Sequence, residues 1–143
     1  MGKIYSDLSD HQKALEYEEK ALAIWKKALP ADHPHLATSY NNVGKIYGDL
    51  GDYRKALEYQ EQALAIRQRT LPADHPDLAT SYNNLALTWF YLGNRKRALE
   101  YMAEALRILE KSLPPKHPDI KKVKENMKLM KQMGSMPKWG FRK

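Results

Sequence analysis

The chain contains no cysteine. That excludes disulfides, thiolate zinc sites and a cysteine nucleophile, and it fits a reducing compartment, so we expect a cytoplasmic protein. No apolar run reaches membrane-spanning length. The opening MGKIYSDLSDHQ lacks the basic and apolar blocks of a secretory signal. Its Met-Gly start with Ser6 loosely fits an acylation pattern. The same GKIY recurs at Gly44–Tyr47, however, and this assigns it to a repeat. No serine sits in a nucleophile elbow, no glycine-rich phosphate loop is present and no carboxylate pair stands out. We therefore expect no enzyme, no cofactor, no metal and no small-molecule substrate.

What is present is charge of uneven placement and a strong internal period. The net charge is +7. Residues 1–115 carry 15 basic and 15 acidic side chains, whereas residues 116–143 carry nine basic ones against Asp119 and Glu125. The body is neutral and the end is basic. LPADHP stands at Leu29–Pro34 and again at Leu71–Pro76, with LPPKHP at Leu113–Pro118, each 42 residues after the last. LATSYNN, KALEY and ALAI obey the same step. A fixed period of this size marks stacked supersecondary units.

Each unit reads as two helices. The first, helix A, is predicted from about Pro34 to Leu50 and from about Pro76 to Leu92, with proline in the first turn, where its missing N–H costs nothing. Asp32 and Asp74 are placed to cap it. Gly51 and Gly93 end it in the left-handed conformation. Asp52, Asn94 and Asp10 are N-caps for the second, helix B, which runs from about Tyr53 to Leu71. In the first unit Ser9 replaces the glycine and makes a poorer stop. Helix B carries Ala56 and Ala63 seven residues apart with Leu57, Leu64 and Ile66; helix A carries Tyr40, Val43, Gly44 and Tyr47, matched by Tyr82, Leu85, Ala86 and Trp89. The Asp-His pair of each connector invites a metal or acid–base reading. Two ligand types per copy, one repeat apart in space, do not close a zinc site. We read the pair as a structural turn.

The series Tyr40, Val43-Gly44, Tyr47, Gly51-Asp52-Tyr53, Ala56, Tyr59, Ala63 resembles the tetratricopeptide repeat, whose usual unit has 34 residues. The 42-residue unit, with DHP in the connector and NNL in helix A, is similar to the kinesin light chain subtype. The resemblance implies an all-α fold of tandem antiparallel helix pairs stacked as a right-handed superhelical α-solenoid, with helix A on the concave side. We expect an array over residues 1–133, made of a truncated first repeat (1–30), two full repeats (31–72 and 73–114) and a C-terminal capping helix (115–133), followed by a flexible basic tail (134–143). In the last helix Lys128 and Lys131 replace the small and aromatic residues of the earlier copies and suit a solvent-facing cap. Met127, Met130 and Met133 are spaced to pack on the preceding helix.

The resemblance also implies function, a scaffold binding an extended peptide or partner segment along helix A. Asn42, Asn84 and Asn126 are the one polar series kept in all three copies. A carboxamide offers donors and an acceptor, so it can bond a peptide backbone without selecting the side chain; the alternative is a bond to a neighbouring helix. Asn41, Asn83 and Lys45 stand beside them. Leu87, Phe90 and Tyr91 make either an apolar pocket or a packing surface for the last helix. A carboxylate clamp built on Asn84 and Lys122 would need an arginine where Asn126 stands, which argues against it. A homodimer through the apolar side of Leu15, Leu22 and Trp25 in the truncated first repeat is the alternative, in which the chain is a self-associating module or a fragment of a larger scaffold. Trp139 and Phe141 among Lys138, Arg142 and Lys143 could meet nucleic acid or an acidic membrane, a contact we rank below a protein partner.

Overall fold

The computed structural model describes residues 2–132, with the side chains described from Asp10 onward. The expectations for Met133 and the basic tail lie outside the described residues. Six helices follow one another: α1 (Gly2–Ala28), α2 (Pro34–Asp49), α3 (Tyr53–Thr70), α4 (Pro76–Tyr91), α5 (Arg95–Ser112) and α6 (Pro118–Gln132). Among the described residues there is no strand. The all-α architecture of paired helices stands, and the limits of α2, α3 and α4 fall within a residue of those predicted. None of the described helices is long and apolar enough to cross a membrane. The chain divides into two compact units, residues 1–70 with α1 to α3 and residues 71–143 with α4 to α6.

In the first unit the core is built from Leu22 of α1, Leu36, Ala37, Tyr40 and Val43 of α2, and Ala63 and Ile66 of α3. Leu15, Tyr47 and Tyr59 pack against it. Burying a side chain such as Val43 contributes about 1.5–3 kcal/mol. The A–B seam is tight because small residues line it. A Cβ added to Gly44 would stand 2.9 Å from Gln60 Cγ and 3.1 Å from the Ala56 carbonyl oxygen. In the second unit Ala86 and Phe90 of α4, Ala98 and Met102 of α5, and Val123 and Met130 of α6 form the core. Met130 is fully buried and Met127 packs beside it, as their spacing predicts.

The turn from helix A to helix B follows glycine chemistry. Gly51 has φ +86° and Gly93 φ +91°. The Asp52 N–H donates to the Tyr47 carbonyl and the Gly51 N–H to that of Gly48; Asn94 and Gly93 repeat the pair on Trp89 and Phe90. This is the paired pattern that closes a helix over a left-handed residue. Asp52 and Asn94 then turn round and cap the next helix, accepting from the Lys55 and Arg97 amides. The first unit departs from this. No break occurs at Ser9–Asp10, and α1 runs unbroken from Gly2 to Ala28. Serine in the left-handed conformation costs about 1–2 kcal/mol, a cost that glycine at the equivalent turns does not carry.

The connectors between pairs correct a second expectation. The N–H of His33 donates to the Pro30 carbonyl, with His75 on Pro72 and His117 on Pro114 in the same way. The cap is the histidine, not the aspartate. Nδ1 of His33, His75 and His117 accepts the amide of His35, Asp77 and Asp119 at 3.1, 3.0 and 3.1 Å. Each ring thus carries its hydrogen on Nε2. Asp32 and Asp74, one residue earlier, point away from the helix they were expected to cap. Asp32 accepts from Arg69, 2.7 Å away near the end of α3, and Asp74 meets Arg107 and Lys111 of α5. Among the described residues no group of three His, Cys, Asp or Glu could hold a metal ion. His75→Ala is expected to cost about 1 kcal/mol, whereas His75→Asn keeps an acceptor and should cost less. Thermal unfolding of the two variants against the wild type checks this.

Candidate peptide-binding face

The solvent side of α2 is set by what its other side must bury. Leu36, Ala37, Tyr40, Val43 and Gly44 face the core. Thr38, Asn42 and Lys45, at spacings of four and three, are therefore left exposed in one row, with Asn41 half-buried beside them. No hydrogen bond or ion pair among the described residues takes up Asn42 or Lys45, and Asn41 is already engaged within the fold. The row ends near Asp49, whose carboxylate lies 3.7 Å from His11 Nε2 of α1. That pairing, which joins α1 to the end of α2, was not foreseen.

On α4 the equivalent positions are more enclosed. Thr80 is exposed, but Asn83, Asn84, Leu87 and Tyr91 are half-buried. Asn84 has a partner inside the fold, and the Thr88 hydroxyl donates to its backbone carbonyl at 3.0 Å. Oδ1 of Asn83 is buried without a partner. Leu87 and Tyr91 pack against the cluster that contains Phe90, Val123 and Met130. That cluster draws on α4, α5 and α6 together.

Asn126 does not share the environment of Asn42. It is 2% exposed, within α6, and its Nδ2 has no partner. The position is inward because Val123, Met127 and Met130 turn that side of α6 to the core. The three asparagines that read as one series are thus exposed, half-buried and buried in turn. Lys122 is half-buried on the same helix.

One polar couple near this face was missed. The Tyr47 hydroxyl donates to Glu19 Oε1 at 2.6 Å, tying α2 to α1. The tyrosine ring also stacks on Tyr59, 5.6 Å between centroids and 12° from parallel. The bond to Glu19, burial and the nearby negative charge together push the Tyr47 phenol far above its usual value of 10.0. Burial, and then the Glu19 charge, also raise Tyr59. Repeat alignment could not show the couple, because the residue that bonds Tyr47 sits on a different unit of the period.

With that geometry described, comparison decides the family. The tetratricopeptide repeat family matches residues 1–69 and 49–111. The chain belongs to the tetratricopeptide repeat family. Its solved relatives are of kinesin light chain type. A Podosopora anserina protein assigned as a kinesin light chain, with nearly identical repeats, superposes with a TM-score of 0.83 at 28% identity, over 91% of this chain and 62% of that one. A single-substitution variant of it gives 0.81 at 27% identity, over 90% and 60%. BtubC (BKLC) from P. vanneervenii gives 0.79 at 25% identity, over 91% and 52%. This tetratricopeptide chain therefore spans less than two thirds of the length of these relatives. No curated protein matches it.

The Tyr47 couple yields a prediction with a definite sign. Because the folded-state value is raised, its stabilisation is fully present below the unfolded value near pH 10 and is lost as pH climbs above it. Tyr47→Phe is expected to cost about 1 kcal/mol at neutral pH and to flatten the loss of stability above pH 10. Denaturant unfolding at neutral and alkaline pH measures both.

Proposed function

We propose that the chain is a non-enzymatic interaction module that binds an extended segment of a partner protein across the exposed row of α2. Tetratricopeptide repeats mediate protein–protein interaction, so the class of activity follows from the family. The observation that carries the finer reading is Asn42. Its carboxamide is exposed and unengaged, one turn from Lys45 on the same face. A side chain that both donates and accepts can replace the hydrogen bonds an extended peptide would otherwise make to water, and Lys45 adds a charge that favours an acidic residue in the partner.

The row Thr38, Asn42, Lys45 covers roughly 10 Å of helix, which matches about three residues of extended chain. Affinity through α2 alone is therefore modest. Within α2 the half-buried Asn41 supports the row; α4 offers a separate, smaller face of its own in Thr80 and the accessible part of Asn84, beside Asn83, Leu87 and Tyr91. Asn126 would contribute only after α6 moves, so we assign it the least.

Asn42→Ala combined with Lys45→Ala is expected to weaken partner binding by about tenfold, with a melting temperature close to that of the wild type because neither side chain is buried. Peptide-display selection against the wild type, followed by titration of the selected peptides against the double variant, tests this. Equal affinities would reject α2 as the binding face.

A further inference from the structure

The three connectors are built alike, but acid does not find them alike. In each, a histidine Nδ1 accepts the amide hydrogen two residues on and so caps the helix that follows. Histidine is the side chain whose ordinary charge change falls between mildly acid and neutral solution. A proton arriving at Nδ1 occupies the lone pair that holds the amide, and the cap is lost. An asparagine cap would keep its acceptor across that range.

What the charged ring then meets differs between copies. His75 Nδ1 lies 3.9 Å from Oδ2 of Asp77, and His117 Nδ1 lies 3.9 Å from Oδ2 of Asp119. Each of these carboxylates sits in the first turn of its helix, α4 or α6, where the dipole also favours an anion. The first turn of α2 has no acidic residue. His35 stands where the other copies have aspartate, its ring 4.7 Å from that of His33. Acid therefore charges two neighbouring rings at the positive end of a helix and breaks the bond that closed it.

The surroundings offer no substitute for the missing carboxylate. From α1, the ring of Trp25 rests against His35 at 5.6 Å, and Lys26 and Lys27 stand in the last turn of that helix. The sequence places Trp25 with Leu15 and Leu22 on a bare apolar side of α1; instead Leu22 is buried, Leu15 packs against the core shared with α2, and Trp25 meets the histidine. From α3, Arg69 adds another positive charge and holds Asp32, the connector's one carboxylate, at 2.7 Å. The far end of α2 responds in the opposite sense. His11 Nε2 lies 3.7 Å from Asp49, so acid strengthens that link to α1 while it loosens the first turn.

We propose that the connector between α1 and α2 is an acid-sensitive latch: on mild acidification His33 and His35 release the first turn of α2, while the connectors before α4 and α6, backed by Asp77 and Asp119, stay closed. Thr38 of the exposed row follows that turn directly. An effect of the latch on the row rests on the binding reading above; the latch itself does not.

Residue-resolved NMR of the full 143-residue chain, titrated from about pH 8 to about pH 5, compares the three turns within one molecule. The Cα shifts of residues 35–37 are expected to leave helical values, the ratio of closed to frayed turn falling about fivefold or more. Those of residues 77–79 and 119–121 are expected to hold. His35→Asp restores the carboxylate and should make α2 hold as α4 does. His33→Asn keeps an acceptor that gains no charge, and should also stay closed. Retreat of all three turns together, an α2 turn unchanged at the acid limit, or a His33→Asn variant that retreats like the wild type would overturn the proposal. The titration reads no peptide affinity, so failure of the α2 row as a binding face leaves its outcome untouched.

Discussion

The seam between helix A and helix B is the contact on which the rest depends. Two helices can lie this close only where one side gives up its side chains. Here Gly44 faces the Ala56 carbonyl, and Ala56, Ala63, Ala98 and Ala105 are buried without remaining exposure. Once the backbones approach, Val43 and Leu85 are sealed and the tyrosine on helix B is clamped between aromatic rings. Neither helix could hold such a surface alone in water. Pairing is therefore the unit of stability, and the glycine turns at Gly51 and Gly93 return the chain at once to the helix it must cover. The solvent side of helix A is what pairing leaves over, and that residue of surface is where Thr38, Asn42 and Lys45 stand.

The period, the helix limits and the glycine turns were legible because each rests on local chemistry. Proline can only start a helix here, glycine alone accepts φ near +90° without strain, and a small residue every seventh position on helix B leaves little choice of face. The connector was half legible. LPADHP does mark a turn, but sequence gave no reason to prefer histidine over aspartate as the cap, since aspartate is the stronger capping residue in general. What decides is a partner far along the chain. Arg69 and Arg107 draw Asp32 and Asp74 towards the end of the following helix B, and the histidine is left to accept the free amide. The third copy agrees with this division of labour. Lys116 replaces the aspartate there, yet His117 still caps.

The candidate site was less legible, and the reason is visible in one series. Asn42, Asn84 and Asn126 repeat at 42 residues and invite a shared role. A repeated residue keeps a repeated environment only if its neighbours repeat too. Lys45 of the second unit is replaced by Leu87 in the third, which packs inward. In α6 the packing residues are Val123, Met127 and Met130, and these rotate Asn126 into the core with an unpartnered amide. Likewise Glu19, which bonds Tyr47, belongs to a helix whose own copy of the repeat lies one step earlier. Contacts between successive units are invisible to a comparison made within one unit.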